Sequence, residues 1–306
     1  MKSLPNAPSR HLRMTDSLFG FLLIIPALLV FLCVIAVPIL RGIYISFCDC
    51  KIATLQKPVW DGFSNYRAIF TDGSFFQAFG TTLIFCGCTV AVVLVGGLGL
   101  ALLLNTRIHG RGIIRSLMII PWCIPSVVIA VIWRWMFNQS FGVVNWFIYK
   151  LGLSSTTGIN WIMNDTLAMA LIVMACSWKQ LPYMMVMMLA AVQSVDETLK
   201  EAARVDGANA LHVFWNVTLP SIRTVVVTCT WLSITRNFQQ YTMIKNITGG
   251  GPVNATSTLS IAAYLQAFTN SDFGKAAAIG VMWMLFLMII TVLVNRLNDR
   301  LAQDIQ

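Results

Sequence analysis

Long apolar runs alternate along this chain with short polar ones. The first run, 17–40, is uncharged, too long for the core of a cleaved leader, and lacks a convincing small-residue cleavage site, so it reads as a retained membrane span. Pro26 and Pro38 are expected to kink or end it. Further runs at 78–104, 113–137, 166–193, 221–244 and 275–294 bring the total to six spans, an all-α polytopic membrane protein. Gly80, Gly87, Gly96, Gly97 and Gly99 allow the second span to pack closely. Pro121 and Pro125 fall inside the third, which ends at Trp133, Arg134, Trp135 and Phe137, an outer interfacial girdle. A break is expected in the fourth near Pro182.

The connections carry their own signals. In 41–77, the residues Asp61 to Tyr66 read as a turn before a short amphipathic helix. Its apolar side, Tyr66, Ile69 and Phe70, is expected to lie on the outer membrane surface. The stretch 138–165, with Gly142, Gly152, Gly158 and Trp161, reads as an extracytoplasmic loop. The stretch 245–274 opens on Gly249-Gly250-Gly251-Pro252. Residues 1–16 and 297–306 read as cytoplasmic tails around one membrane domain, 17–296.

Composition sharpens this. Of 306 residues, 57% are hydrophobic and 11% charged, against roughly a quarter charged in soluble domains. The net charge of +9 fits cytoplasmic loops and membrane lipid rather than nucleic acid. Basic residues concentrate on the side of the two ends (Lys2, Arg10, Arg13, Arg107, Arg111, Arg115, Lys200, Arg204, Arg223, Arg296, Arg300), which puts both termini in the cytoplasm. The eight cysteines fall mostly in apolar runs and read as small buried hydrophobes.

Between the fourth and fifth spans lies the most charged segment, 194–220. Ser194 and Glu197 have capping-box spacing, which predicts a helix to Asp206. Val195, Leu199, Ala202, Ala203 and Asp206 would share one face, with Glu197, Lys200, Glu201 and Arg204 on the other. Gly207 permits a left-handed cap, a second short helix is expected from Asn209 to Thr218, and Pro220 is expected to open the fifth span. Glu201-Ala202-Ala203, then Gly207, then Leu219-Pro220, resembles the EAA loop of ABC importer permeases, with Val217 where the family often has Ile. Tyr183 through Pro220 and Gly249 to Pro252 are similar to the sugar-type permeases of the maltose, glycerol-phosphate and oligosaccharide systems.

The resemblance implies a type I importer permease in the bacterial inner membrane. Glu201, Ala202, Ala203, Asp206, Gly207, Leu219 and Pro220 would form the coupling loop, seated in a cleft of a cytoplasmic ATPase. It also implies the partners: a second permease, with a heterodimer favoured, two ATPase subunits that bring ATP and Mg, and a soluble solute-binding protein. Outer segments 61–77 and 142–161 are the contact candidates for that protein. No cofactor is expected in this subunit.

Charged residues inside spans cost roughly 2.5–3.5 kcal/mol each on insertion scales, so they are functional candidates. Lys179 stands in Ser177-Trp178-Lys179-Gln180-Leu181-Pro182-Tyr183. Arg236 stands in Ser233-Ile234-Thr235-Arg236-Asn237-Phe238-Gln239-Gln240, where Ser233, Arg236 and Gln240 share a helical face with Asn237 and Gln239 at its margins. Hydroxyl-rich ligands need convergent polar groups and flat rings, and these stretches supply both. The family's sugar-contacting positions fall near Lys179, Gln180, Tyr183, Arg236, Gln239 and Gln240. No acidic residue lies in any span, so the two cations suit an anionic sugar; the competing reading is that they snorkel or bind backbone carbonyls near Pro182. No nucleophile–base pair, metal cluster or phosphate-cradling loop appears. The alternative function, an ion-gradient-driven transporter, usually carries acids or His in its spans, and this chain has none there.

Overall fold

The computed structural model describes residues 16–106, 109–153 and 158–303. The expected N-terminal tail lies almost wholly outside these residues, as does Arg107. Helix α1 (Asp16–Phe31) passes through a π-turn (Leu32–Ala36) into α2 (Val37–Ser46). A two-stranded antiparallel hairpin, β1 (Cys48–Asp49) and β2 (Val59–Trp60), leads to α3 (Ser64–Thr71) and the long α4 (Ser74–Asn105). Then come α5 (Arg111–Cys123), α6 (Ser126–Met136), α7 (Val143–Lys150) and the long α8 (Asp165–Gln193). The charged loop holds α9 (Glu197–Val205) and α10 (Ala210–Val213), and a second π-turn (Phe214–Thr218) runs into α11 (Leu219–Phe238). Short α12 (Thr242–Ile247) and α13 (Leu259–Tyr264), then a third π-turn (Leu265–Thr269), precede the long α14 (Phe273–Gln303). Five helical stretches of the described residues are long and apolar enough to cross a membrane, and six if the bent pair α5–α6 counts as one.

Several expected boundaries move, and proline chemistry explains most of them. The first span does not end at Pro38: the helix runs on to Ser46. In its π-turn the Val37 N–H reaches the Leu32 carbonyl, one residue further back than in an α-helix. That widened turn makes room for the Pro38 ring, which would otherwise crowd the turn before it. The same device recurs at Pro220. There Leu219 N–H bonds to Phe214 O, and the helix from Ala210 to Phe238 is continuous. The expected separate helix 209–218 is therefore the start of the fifth span, and Pro220 does not open it. Pro182 breaks nothing either: α8 is helical from Asp165 to Gln193. The third span does break. Helices α5 and α6 are bent by 96° at Ile124-Pro125, because a residue before proline is pushed out of the helical region and Ile124 sits at ψ 135°. The fifth span ends at Phe238 rather than at 244, with a second break at Gln239 to Tyr241.

The loops hold more structure than their composition suggests. The hairpin was not expected, nor was α7 in the stretch read as loop. Helix α3 is where it was expected, but Tyr66 and Ile69 are buried against Phe75, Ala78, Ala278 and Ile279 of the protein itself, while Phe70 stays more open. Asn65 donates to the Ser46 and Cys48 carbonyls, which clamps α3 to the end of α2.

Helices α4 and α8 form the central pair and run parallel. Phe85 packs with Leu171 and Ile172 at one end, and Ala101 and Leu104 with Met188 and Leu189 at the other. Their contact is close because Gly97 has no side chain: a Cβ there would lie 2.6 Å from Met184 Cγ and 3.2 Å from the Met185 backbone nitrogen.

Candidate functional site

Two places in the fold hold the residues singled out by sequence. The first is the loop at one end of the α4–α8 pair. Its helix is capped by Asp196, whose carboxylate accepts from Thr198 N–H at 3.0 Å. The expected Ser194–Glu197 box does not form, because Ser194 still belongs to the end of α8 and its hydroxyl donates to Ala191 O. The Thr198 backbone N–H, then its hydroxyl, hold the Asp196 carboxyl below its usual range. Lys200, 3.0 Å away, does the same to Glu197, first by its hydrogen bond and then by its charge.

The helix ends as its glycine predicts. Gly207 has φ +88°, its N–H bonds to Arg204 O, and Ala208 N–H bonds to Ala203 O, the paired bonds of a Schellman stop. Asn209 then caps α10 through His212 N–H. The two expected faces are redrawn. Lys200, placed on the charged face, is 7% exposed, whereas Leu199 is 54% and Val205 88% exposed. Lys200 turns inward because its ammonium can reach back to Glu197 while its stem packs on the protein. Glu201, Ala202 and Asp206 lie exposed beside Leu199, and Ala203 is half-buried. Leu211 and Trp215 continue this open apolar strip. Leu219 and Pro220 sit where the strip passes into α11.

The second place is half-way along α8. Gln180 is about 20 Å from either end of that helix at 1.5 Å per residue. Both helix breaks meet it there. Lys179 donates its ammonium hydrogen to the carbonyl of Ile124, at the α5–α6 break. Gln180 and Asn237 exchange hydrogen bonds at 3.0 and 3.2 Å, in the last turn of α11 before the Gln239–Tyr241 break. Asn237 also donates to the Ser233 carbonyl and hydroxyl. The Arg236 guanidinium lies over the Tyr183 ring, 4.2 Å from its centroid. Trp122, just ahead of the first break, also lies against Tyr183, with ring centroids 5.9 Å apart.

The candidate residues thus separate by what they touch. Lys179, Gln180, Asn237 and Ser233 are engaged with one another or with backbone. The expected carbonyl near Pro182 is replaced as Lys179's partner by Ile124. Arg236 and Gln239 are exposed, and Tyr183 and Gln240 half-exposed; the Gln240 carbonyl accepts from Ser260. Trp122 was missed by sequence reasoning, although Pro121 and Pro125 on either side of it were the available signal. Beside the break, Leu117, Pro121, Trp178, Leu181 and Pro182 line an apolar groove of about 540 Å³. Non-helical backbone at such depth is tolerated where it lines a cavity or is covered by protein, and transporter sites lie at such breaks.

Comparison with known proteins gives the same assignment. Residues 93–305 match the family described as the binding-protein-dependent transport system inner membrane component. The trehalose/maltose transport permease MalF of Thermococcus litoralis is 31% identical over 94% of this chain and 96% of its own. The sulfoquinovosyl glycerol transport permease SmoG of Agrobacterium fabrum is 32% identical over 97% and 95%, and the sn-glycerol-3-phosphate permease UgpA of Yersinia enterocolitica 36% over 78% and 80%. A bacterial ABC transporter for the acidic polysaccharide alginate shares the fold, with a TM-score of 0.79 over 92% of this chain and 95% of that one at 20% identity. The chain therefore belongs to the binding-protein-dependent inner-membrane permeases of ABC importers.

Proposed function

We propose that this permease passes a carbohydrate through the gap beside Tyr183 and Arg236, and that motion of the Glu201 loop opens and closes that gap. Permeases of this family work with a second permease, with ATPase subunits that carry out hydrolysis, and with a binding protein. The observation that carries the coupling reading is continuity. One helical stretch, Ala210–Phe238, runs from the loop's second helix to the mid-depth site, so a push that α9 passes across the Gly207 turn travels to Arg236 along continuous helix. The exposed strip of Leu199, Val205, Leu211 and Trp215 supports a protein partner there, because four large apolar side chains in the most charged loop otherwise face water.

Relatives that transport trehalose, maltose and sulfoquinovosyl glycerol support a carbohydrate as cargo. The partner permease is a different chain in our reading, and the segments 61–77 and 142–161 receive the binding protein. ATP-driven closure of the ATPases draws α9 and the corresponding loop of the partner permease together and switches the site between the two sides. Uptake into vesicles should follow ATP supplied on the loop side. Uptake that follows an ion gradient and ignores ATP would overturn this reading.

A further inference from the structure

We infer that Arg236 reads a negative charge on the transported carbohydrate, so that the substrate class is an anionic sugar; this rests on the permease function proposed above. A guanidinium at this depth needs a counter-charge or water. It lies level with Tyr183, near the middle of α8, too deep for its side chain to snorkel to either surface. Among the described residues Arg236 makes no ion pair and no hydrogen bond, only its contact with the Tyr183 ring. The acids of the described residues lie in loops or at helix ends, as Asp165 and Asp299 do.

Two other cations or dipoles could have served, and neither does. Lys179 is occupied by the Ile124 carbonyl. The carbonyls at the end of α11 attract a cation, but Arg236 points its guanidinium across to α8 instead of back onto them. Arg236 is exposed, so its planar fork of five N–H groups is free to take a carboxylate, sulfonate or phosphate in bidentate fashion. Trp122, 48% exposed, supplies a flat face for the pyranose ring next to that fork, the half-exposed Tyr183 ring under the guanidinium orients the fork, and the Gln239 amide is at hand for hydroxyls. A cation, two rings and an amide suit a sugar acid better than a neutral sugar.

The test uses the complete importer, with its partner permease and ATPases, in nanodiscs without binding protein. Direct binding of labelled glucuronate and glucose is measured for the wild type, Arg236→Gln and Arg236→Lys. The wild type should prefer glucuronate at least tenfold, Arg236→Gln should bring the two sugars within twofold, and Arg236→Lys should restore part of the preference. Preference for glucose in the wild type overturns the inference, as would happen if the partner permease supplied a carboxylate to Arg236. An unchanged preference in Arg236→Gln overturns it too. ATPase activity of the same samples keeps the two levels apart: an importer that hydrolyses ATP but prefers glucose loses only the anionic class, whereas a chain that assembles with no ATPase loses the permease reading.

Discussion

Gly207 and Asn237 show how single residues shape the charged loop and the mid-depth cluster. At Gly207 a Cβ would meet nothing within 4 Å, so any penalty of substitution comes from the backbone alone, at φ +88°. A β-branched residue there costs on the order of 1–2 kcal/mol, whereas Asn tolerates the left-handed region. Gly207→Val should therefore lower ATP-driven uptake about tenfold or more while ATPase activity persists, and Gly207→Asn should retain uptake within about threefold. At mid-depth, Asn237→Leu orphans the Gln180 amide, a loss of roughly 1–3 kcal/mol. Its thermal midpoint should fall, and adding Gln180→Leu should recover part of the fall. The Asp196 cap adds a pH dependence. Its carboxyl and that of Glu197 are lowered from their ordinary values of 3.8 and 4.5. The stabilisation they give α9 is complete above those values and is lost as pH falls through the lower folded ones. Exchange protection in 197–205, corrected for the intrinsic rate, should fall there, and fall less in Asp196→Asn.

At the scale of elements, the hydrophobic pattern located the spans but not their joints. Apolar periodicity reports what is buried or faces lipid, and it is blind to whether a proline is absorbed or breaks the helix. Pro38 and Pro220 are absorbed by a widened turn just before them, Pro182 lies inside an unbroken helix packed on α4 and α11, and only Pro125 gives a sharp bend. Nothing local to these prolines separates the four cases, because the neighbours that support the helix come from elsewhere in the chain. The charged loop was partly legible because its signals are local: the Gly207 stop forms as read, whereas the cap is Asp196 and not the Ser194–Glu197 box, since α8 runs on to Gln193 and keeps Ser194 at its end. The mid-depth cluster was half legible: the stretches named from sequence do meet, through Gln180–Asn237 and Tyr183–Arg236, while the Ile124 carbonyl that takes Lys179 comes from a break whose contact no local signal reveals. The α4–α8 contact yields a direct prediction. Gly97→Leu drives a side chain into Met184 and the Met185 backbone, an overpacking cost of about 1–3 kcal/mol or more. The purified chain should lose thermal stability, while Gly99→Leu, where a Cβ meets nothing within 4 Å, should leave it near wild type.

For the whole molecule, the parts fit one mechanical scheme. In the proposed mechanism the loop presents apolar side chains to a partner, the helix Ala210–Phe238 carries displacement inward, and the α5–α6 and α11–α12 breaks, which meet the unbroken α8, give the site freedom to open to one side or the other. Lys179 donates to the Ile124 carbonyl at the α5–α6 break, two residues beyond Trp122, whose ring lies against Tyr183. The most direct test is the sidedness of the site. Gln239→Cys, made in a chain without its native cysteines and assembled into the complete importer in vesicles, is labelled with a membrane-impermeant thiol reagent from each side. Labelling is done without nucleotide and with ATP trapped by vanadate. Without nucleotide the label should enter from the loop side, and with trapped ATP from the opposite side. Labelling from the same side in both states would contradict a site that the loop drives through the membrane.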